Sequence, residues 1–311
     1  MKRKIRIDCP TDWASFAQYA IEAKLDELNF VRTYDNDAEF IILNPATKSY
    51  LSAQYFSQFK LLKAVATPST GINHVDVEYL KSNKIVFYSL LDNRARMIDE
   101  ITASSEFTWL HIMAAWRKFL PAVNNFQSWR EHENEMLLRS HQLKNKSLGI
   151  IGLGRIGTNI ARYAQAFGMH VFALDIRDCA LDNVTCVKTL NDMKHVDILS
   201  INCGLNETSK NLICRGSLDE FKNGLLIVNT ARGEIVDEQY IIDLLRTRKM
   251  NYSCDVVHHE FDDITKSTIY NHALMSQNSS LTVTPHVAGA TVDSQLAAFD
   301  IALSLLSKLC L

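Results

Sequence analysis

A glycine-rich segment in the middle of the chain has the spacing of a phosphate-binding turn, Gly152-Leu-Gly-Arg-Ile-Gly157. An apolar run before it predicts a strand, and a helical pattern follows over residues 155–168. In this context Gly152 permits a tight turn, Gly154 lets the backbone approach a pyrophosphate, and Gly157 lets the helix pack closely on the strand. The helix N-terminus would stabilise the phosphate charge. The segment therefore predicts a bound dinucleotide.

A carboxylate after the next predicted strand bears on which dinucleotide is bound. Asp175 ends the run His170–Leu174 and lies at the offset where an acidic side chain holds the adenosine ribose hydroxyls. The same carboxylate would repel a 2′-phosphate, which favours NAD over NADP. Arg177 lies two residues further on and argues for NADP. A purely structural alternative, in which the glycines form a turn and Asp175 caps a helix, also stays open.

Three more motifs follow downstream, and two precede the glycine segment. They read Asn229-Thr-Ala-Arg-Gly-Glu-Ile-Val-Asp237, Asp255-Val-Val-His-His-Glu260, Thr284-Pro-His-Val-Ala-Gly-Ala-Thr291, Ser69-Thr-Gly-Ile-Asn-His-Val-Asp76 and Asn93-Arg-Ala-Arg-Met-Ile-Asp-Glu100. Together the motifs resemble the D-isomer-specific 2-hydroxyacid dehydrogenase family, which includes phosphoglycerate, D-lactate, glycerate and formate dehydrogenases. The resemblance covers almost the whole chain, and the phosphoglycerate dehydrogenases look nearest.

The resemblance implies a catalytic trio of Arg232, Glu260 and His286. Oxidation of a 2-hydroxy acid needs a base for the hydroxyl proton while a hydride leaves the same carbon, and histidine suits that task. His286 would be this base, and the acid in the reverse direction. Glu260 would hydrogen-bond the other imidazole nitrogen and favour the charged form. Arg232 would bind the substrate carboxylate and polarise the 2-oxygen.

The resemblance also implies two sets of binding residues. The loop from residue 69 to 72 is where the family offers backbone donors to the substrate carboxylate, and Asp255 is expected near the nicotinamide carboxamide. The expected substrate contacts are Thr70, Gly71, Ile72, Asn93 and Arg232. The expected cofactor contacts are Gly152, Gly154, Arg155, Ile156, Gly157, Asp175, Cys203, Thr230 and Asp255.

Each catalytic candidate has a structural alternative. Arg232 would otherwise form a surface ion pair, and His286 would be a loop histidine. Glu260 lacks the acidic, proline-bearing sequence that usually follows the family glutamate. A metal site of His258, His259, Glu260 and His286 is a further alternative, disfavoured because adjacent histidines rarely point to one centre. We therefore expect no metal.

The substrate side chain is less constrained than its carboxylate. Where phosphoglycerate dehydrogenases supply basic residues to a phosphate, this chain has Asn44 and Thr67, with Lys48 nearby. The loss of two guanidinium groups disfavours a phosphorylated substrate. Because the sequence ends at Leu311, we expect no regulatory tail.

These residues must be positioned by alternating strands and helices, the pattern of an α/β protein. The predicted strands are 4–7, 40–43, 64–66, 85–88, 147–151, 170–174, 197–201, 225–229, 252–256 and 281–284, and the predicted helices are 13–28, 76–82, 100–120, 155–168, 238–246 and 292–309. We expect two Rossmann-like or flavodoxin-like lobes with parallel sheets and a cleft between them. By resemblance, residues 1–98 and 287–311 form a discontinuous substrate domain and residues 99–286 an NAD-binding domain. The long segment 100–120, ending at Pro121, would bridge the lobes.

Composition excludes several classes of protein. A length of 311 residues suits two domains, because domains commonly contain about 100–200 residues. A net charge of −2 does not favour binding to the negatively charged backbone of nucleic acid. No apolar run is long enough to span a membrane, and the N-terminus does not resemble a secretory signal. Seven cysteines without a paired motif indicate reduced thiols and a cytoplasmic location.

The sequence thus predicts an NAD-dependent D-2-hydroxyacid dehydrogenase, acting on a CH–OH group. The family resemblance implies a homodimer formed through the cofactor domain. Segment 100–121 and the region of Trp129 are the expected contacts between the two subunits. A second hypothesis is an NAD(H)-sensing interaction protein, because some relatives act as corepressors with little turnover. A third keeps the enzyme but changes the donor to formate or phosphite.

Overall fold

The computed structural model describes residues 2–8, 21–45, 47, 49–179, 181–247, 250–275 and 280–310. The chain divides into two compact units, Met1–Thr102 with Ala290–Leu311, and Ala103–Gly289. The divisions therefore fall after residues 102 and 289, where the sequence suggested 98 and 286. Because the chain leaves the first unit and returns to it, that unit is discontinuous.

The first unit contains a parallel five-stranded sheet in the order β2-β1-β3-β4-β5. This order is the flavodoxin-like one, with the reversal of strand order between β1 and β3. The strands are β1 (Arg3–Ile7), β2 (Phe30–Arg32), β3 (Phe40–Ile42), β4 (Ala64–Ala66) and β5 (Val86–Tyr88). The helices are Ala53–Phe56, Val77–Ser82, Arg94–Glu100 and Val292–Ser307, with 3-10 turns at Leu90–Asn93 and Lys308–Cys310, and residues 21–27 are also helical.

Both faces of this sheet are covered, as a parallel sheet requires. Successive side chains of a strand point to opposite faces, so Ile42 packs in one cluster and Ile41 in another. The C-terminal helix Val292–Ser307 adds Phe299 and Leu303 to the Ile42 cluster. Burial of these apolar side chains holds the returning segment on the first sheet.

The second unit contains a parallel seven-stranded sheet in the order β12-β11-β10-β9-β6-β7-β8. Counted from β6, this is the Rossmann order with one added strand, and the order reverses between β6 and β9. The strands are β6 (Ser147–Ile151), β7 (His170–Leu174), β8 (Val184–Val187), β9 (Ile198–Ile201), β10 (Leu225–Asn229), β11 (Met250–Cys254) and β12 (Leu281–Val283). The helices are Ala103–Trp116, Phe119–Asn124, His132–Leu138, Arg155–Ala166, Glu238–Arg246 and Thr268–Met275, with 3-10 turns at Leu190–Met193, Gly233–Ile235 and Ile264–Lys266.

Central strands of the second sheet are buried along their whole length. Every residue of β9 and β10 is buried, as the apolar runs in the sequence indicated. The α/β class, the two parallel sheets and the Rossmann-like architecture predicted from the sequence are confirmed. Strands β2 and β8 were missed because they are short and their residues are only partly apolar.

The prediction of one helix over 100–120 is wrong. Helix Arg94–Glu100 ends at Ile101, whose backbone is extended, and a new helix begins at Ala103. This helix ends at Trp116, and Lys118 has a left-handed backbone with φ 50° before the next helix begins at Phe119. Pro121 lies in the first turn of that helix, where its missing N–H is not needed.

Two sequence expectations lie partly outside the described residues. The helix expected over 13–28 is described only from residue 21, and Lys48 is not described. Among the described residues, no helix is both long and apolar enough to cross a membrane.

Candidate active site

The glycine turn joins β6 to the helix Arg155–Ala166 at the carboxyl end of the sheet. Gly152 has φ +90°, and a Cβ there would lie 2.7 Å from the backbone nitrogen of Cys203. At Gly157 a Cβ would lie 2.0 Å from the carbonyl oxygen of Gly152. Both positions exclude side chains for reasons internal to the protein, the tight turn and the close helix packing expected from the motif.

Gly154 is constrained differently. Apart from its own chain neighbours and helix backbone, a Cβ at this position would meet no atom of the described residues within 4 Å, and Gly154 is the N-cap residue of the helix. The open space lies where the motif brings a pyrophosphate to the helix N-terminus. Beside it is a pocket of about 340 Å³ whose lining includes Leu153, Arg162, Asp175 and Arg177. The residues present therefore fit a dinucleotide.

Asp175 lies directly after β7 and faces this pocket. Its Oδ2 accepts a hydrogen bond of 2.7 Å from the backbone N–H of Leu153, and Arg177 Nε donates to Oδ1 over 3.2 Å. Burial would raise the pKa of the Asp175 carboxyl, but the hydrogen bonds from Arg177 and Leu153 hold that pKa below its usual value. The carboxylate is therefore ionised at neutral pH, as a ribose-hydroxyl acceptor must be.

Cys203 and Thr230 follow β9 and β10 at the same edge of the sheet. Burial raises the pKa of the Cys203 thiol to about 11, so this side chain is neutral at physiological pH. Thr230 is buried, and its hydroxyl lies 2.6 Å from that of Thr108. Because Thr108 donates to the carbonyl of Ser104 over 2.6 Å, Thr230 donates to Thr108.

His286 and Glu260 form a direct pair. His286 Nδ1 lies 3.0 Å from Glu260 Oε2, and the two side chains are 39% and 9% exposed. The carboxylate therefore fixes one ring nitrogen of His286 and leaves Nε2 for a ligand. Glu260 Oε1 is buried and has no hydrogen-bond partner among the described residues. The ring of Phe261 stands edge-on to the imidazole, with centroids 6.1 Å apart.

Asp255 holds the backbone around His286. The side chain is 1% exposed, and its oxygens accept hydrogen bonds from the backbone N–H groups of Val287 at 3.0 Å and Ala288 at 2.8 Å. Thr284 also donates its hydroxyl to the carboxylate, and the Asp255 carbonyl accepts the N–H of His286 over 2.9 Å. The expected contact of Asp255 with nicotinamide stays a prediction, whereas its contact with the loop is direct.

Arg232 caps a 3-10 turn after β10. Gly233 follows it, and a Cβ there would lie 2.2 Å from the carbonyl carbon of Val257, so the turn approaches the chain that leads to Glu260. The guanidinium donates to the carbonyl of Ala231 over 2.7 Å. Among the described residues, no carboxylate lies within 4.0 Å of Arg232, which argues against a surface ion pair. The remaining donors suit an anion.

The expected substrate loop lies in the first unit, after β4. The Ser69 hydroxyl donates to the Gly71 carbonyl over 2.7 Å, and Val75 N–H bonds the Ile72 carbonyl over 3.0 Å. Within the described residues, the backbone N–H groups of Thr70, Gly71 and Ile72 donate to nothing. These N–H groups are therefore available to donate to an anion.

Asn93 is the N-cap residue of the helix Arg94–Glu100, yet its side chain makes no capping bond. Its amide is therefore available, and the side chain is only partly buried.

Thr67 is fully buried, and its hydroxyl lies 2.9 Å from that of Ser69, so it is unsuited to a phosphate. Thr70, Gly71, Ile72 and Asn93 belong to the first unit, whereas Arg232, Glu260 and His286 belong to the second.

Comparison with known proteins decides the family. Residues 109–288 match the NAD-binding domain of the D-isomer-specific 2-hydroxyacid dehydrogenases, over more than half of the chain. The chain belongs to this family. It therefore carries an NAD-binding domain. The dinucleotide predicted from the glycine turn, and NAD as the cofactor, are confirmed.

Similar dehydrogenases of this family differ in their substrates. The glyoxylate reductase of Aeropyrum pernix is 30% identical over 256 residues, 79% of this chain and 72% of that protein. The formate dehydrogenase of Chaetomium thermophilum is 28% identical over 276 residues, 83% of this chain and 70% of that protein. The D-lactate dehydrogenase of Aquifex aeolicus, solved with NAD and lactic acid, aligns with a TM-score of 0.76 at 22% identity, covering 99% of this chain and 97% of that one. This structural likeness supports the fold.

The two histidines beside Glu260 have other partners. His258 Nε2 lies 2.8 Å from the Val236 carbonyl, and His259 Nδ1 lies 3.2 Å from Asp262 Oδ1. Within the described ranges, no group of three or more histidine, cysteine or acidic side chains could hold a metal ion. The geometry therefore does not support the metal alternative.

Sequence reasoning missed two buried polar residues near the catalytic candidates. Glu238 is 5% exposed and accepts hydrogen bonds from His258 N–H at 2.8 Å, Thr268 N–H at 2.7 Å and the Ser267 hydroxyl at 2.9 Å. It thereby ties together both ends of the segment that carries Glu260. His111 is the second, and its only sequence signal was a polar side chain inside an apolar helical run.

Proposed function

We propose that this protein is an NAD-dependent oxidoreductase that interconverts a small D-2-hydroxy acid and its 2-oxo acid. The observation that carries the proposal is the pair of His286 Nδ1 and Glu260 Oε2 at 3.0 Å, which leaves Nε2 for a substrate oxygen. Arg232, with no carboxylate partner in the described parts of the chain, supplies the cation that a 2-oxo acid requires. This combination has a cation for the acid group and a proton donor for the 2-oxygen.

In the reducing direction, the guanidinium of Arg232 binds the substrate carboxylate. His286 holds a proton at Nε2 and transfers it to the 2-oxygen as negative charge develops there. Glu260 accepts from Nδ1 and stabilises the charged imidazole before that transfer. The reduced nicotinamide, when bound, supplies the hydride to the 2-carbon. In the oxidising direction His286 acts as the base.

We propose NAD as the preferred nucleotide because Asp175 presents a carboxylate to the pocket behind the glycine turn. Arg177 does not stand free as a phosphate ligand, since it pairs with that carboxylate at 3.2 Å. A 2′-phosphate would have to break this pair and approach an ionised carboxylate. Both effects disfavour NADP.

We propose a small unphosphorylated acid as substrate. Thr67 is buried, and no guanidinium stands at that position or at Asn44 to bind a phosphate. Formate is the second candidate, favoured by the similarity to formate dehydrogenases. Against it, formate enzymes of this family tend to carry glutamine in place of the glutamate, whereas this chain has Glu260.

A panel of acids tests these proposals. Purified protein is mixed with NADH and, in turn, glyoxylate, hydroxypyruvate, pyruvate, 2-oxoglutarate and branched 2-oxo acids, while absorbance of the reduced nicotinamide is followed. NADPH replaces NADH in a parallel set, and formate with NAD forms a third. The matched control is His286→Ala, which keeps the glycine turn and should bind NADH normally.

We expect NADH oxidation with at least one 2-oxo acid and none with His286→Ala. Tight NADH binding without turnover would instead favour the sensing protein. Turnover of formate alone would replace the hydroxy-acid assignment, and a strong preference for NADPH would contradict the role given to Asp175.

We further propose a homodimer formed through the second unit. Eight large apolar side chains between residues 110 and 137 are exposed, an excess that commonly marks an interface. They are Leu110, Phe119, Leu120, Val123, Phe126, Trp129, Met136 and Leu137.

A further inference from the structure

A continuous line of polar groups, buried apart from the partly buried Thr284, leads to the loop that carries His286. It starts at the hydroxyl of Ser253 in β11, which lies 2.7 Å from His111 Nδ1. His111 Nε2 lies 3.0 Å from the hydroxyl of Thr284, and Thr284 contacts the carboxylate of Asp255. That carboxylate accepts the N–H groups of residues 287 and 288, immediately after His286.

The direction of each hydrogen bond follows from the carboxylate. Asp255 only accepts, so Thr284 donates its single hydroxyl hydrogen to it. The Thr284 oxygen must then accept from His111, which places a hydrogen on Nε2. Burial lowers the pKa of His111, with the Asp255 charge acting in the opposite direction, so the imidazole is neutral and its Nδ1 accepts from Ser253.

His111 lies on the helix Ala103–Trp116, which places its side chain between Ser253 and Thr284. His111 is 4% exposed, Ser253 is fully buried, and the ring of Phe107 stands edge-on to the imidazole at 5.0 Å. A buried polar side chain in an apolar helix costs free energy unless it is hydrogen-bonded, and here both ring nitrogens have partners. The arrangement is specific, because carbon in place of Nδ1 leaves the buried Ser253 hydroxyl without its described partner, and carbon in place of Nε2 removes the donor to Thr284.

We propose that His111 is a positioning residue for His286, acting through Thr284 and Asp255. With its Nε2–H directed at Thr284, His111 fixes the threonine hydroxyl, which fixes the carboxylate that holds the N–H groups of Val287 and Ala288. His286 itself has a left-handed backbone with φ 53°, a conformation that a non-glycine residue keeps only when its surroundings impose it. His111 thus contributes to the direction in which the proposed catalytic imidazole points.

Two substitutions separate this role from simple packing. His111→Phe keeps a flat ring but removes both nitrogens, whereas His111→Gln offers an amide N–H to Thr284 and an oxygen to Ser253. Thr284→Val breaks the next link with almost no change in shape. Ile112→Ala is the matched control, since Ile112 is fully buried on the same helix and belongs to an apolar cluster.

Hydrogen–deuterium exchange of residues 284–289, in full-length protein, is the first readout. We expect the amides of Val287 and Ala288 to exchange faster in His111→Phe and Thr284→Val, and at the wild-type rate in His111→Gln and Ile112→Ala. Unchanged exchange in His111→Phe would overturn the proposal. Exchange in His111→Gln as fast as in His111→Phe would overturn it too, because shape rather than hydrogen bonding would then be responsible.

Turnover of the 2-oxo acid found in the panel is the second readout, and this part rests on the proposed function. We expect His111→Phe to lower kcat about tenfold with little change in the KM for NADH, and His111→Gln to recover most of the loss. A KM effect without a kcat effect contradicts the proposal. If the wild-type protein reduces no 2-oxo acid, the proposed function fails, while the exchange experiment still decides the role of His111.

Discussion

At the scale of single residues, the proposed chemistry depends on the hydrogen-bond partners of each polar side chain. Glu260 contacts His286 through one oxygen and has the other buried without a described partner. A buried carboxylate beside an imidazole stabilises the cation, which is the form that donates a proton to a 2-oxo acid. Arg232, in contrast to Glu260, has no charged partner among the described residues. Its guanidinium donates to the carbonyl of Ala231, and its positive charge is available to a ligand.

Glu260→Gln isolates the charge of that carboxylate. The amide keeps the size of the side chain and an oxygen facing Nδ1 but no longer stabilises the imidazolium. We expect kcat for 2-oxo acid reduction to fall roughly 10- to 100-fold, since each tenfold loss corresponds to about 1.4 kcal/mol. Steady-state kinetics with NADH measures it, and NADH affinity should stay unchanged. A variant with full activity would remove Glu260 from the mechanism.

Cys203 allows the cofactor position to be tested without turnover. Because burial raises its thiol pKa to about 11, it should react slowly with iodoacetamide at pH 8, whereas the exposed Cys186 should react first. Bound NADH should slow Cys203 further by covering it. Peptide mass spectrometry after timed labelling measures both rates. Equal labelling of Cys203 with and without NADH would place it away from the cofactor.

At the scale of elements, the turn between β6 and the helix Arg155–Ala166 combines two kinds of glycine. Gly152 and Gly157 are required by the protein itself, since a side chain at either would overlap backbone atoms. Gly154 faces open space among the described residues, so the packing of the protein does not exclude a side chain there, whereas a bound pyrophosphate would. One short motif thus serves both folding and binding, and the two contributions are separable by substitution.

Alanine substitutions at these glycines should give opposite results. Gly157→Ala places a methyl group 2.0 Å from the Gly152 carbonyl, so we expect a marked fall in Tm, with overpacking commonly costing about 1–3 kcal/mol or more. Gly154→Ala should keep the wild-type Tm but weaken NADH binding about tenfold or more. Thermal unfolding and fluorescence titration measure the two effects. A Gly154→Ala protein with unchanged NADH affinity would argue that the pyrophosphate does not approach this residue.

At the scale of the whole molecule, the chain forms two separate parallel sheets, and the first is completed by the C-terminal helix. The second carries the exposed apolar side chains between residues 110 and 137, including Phe126 at 66% and Trp129 at 79% exposure. Aromatic side chains this exposed are costly in water and are enriched where proteins associate. They identify the surface for the proposed homodimer.

Phe126→Glu combined with Trp129→Glu tests that surface. Buried charges on both sides of a symmetric interface would oppose association, so the double variant should be monomeric while the wild-type protein is a dimer. Sedimentation at micromolar concentration distinguishes the two states. NADH binding should be unchanged in the variant, which shows that it is folded. A monomeric wild-type protein at that concentration would refute the proposal.

The sequence predicts features that depend on neighbouring residues better than features that depend on contacts between distant parts of the chain. Most strands of both sheets were predicted, because an apolar run or a glycine turn carries its signal within a few residues. The break at Ile101 and the helix beginning at Phe119 were not, since Pro121 is compatible both with ending a helix and with the first turn of one. Strand β8, with its two exposed central residues, also gave no clear pattern.

The sequence by itself determined the dinucleotide turn, because its residue types lie at short, fixed spacings. Its motifs also carried the family resemblance that implied the acid–base candidates. Only the tertiary structure decided how the candidates are held. His111 contacts Thr284 across 173 residues, and Glu238 contacts the backbone of Thr268 across 30. Such pairs form only when strands and helices distant in the chain pack together, and burial then makes each hydrogen bond necessary.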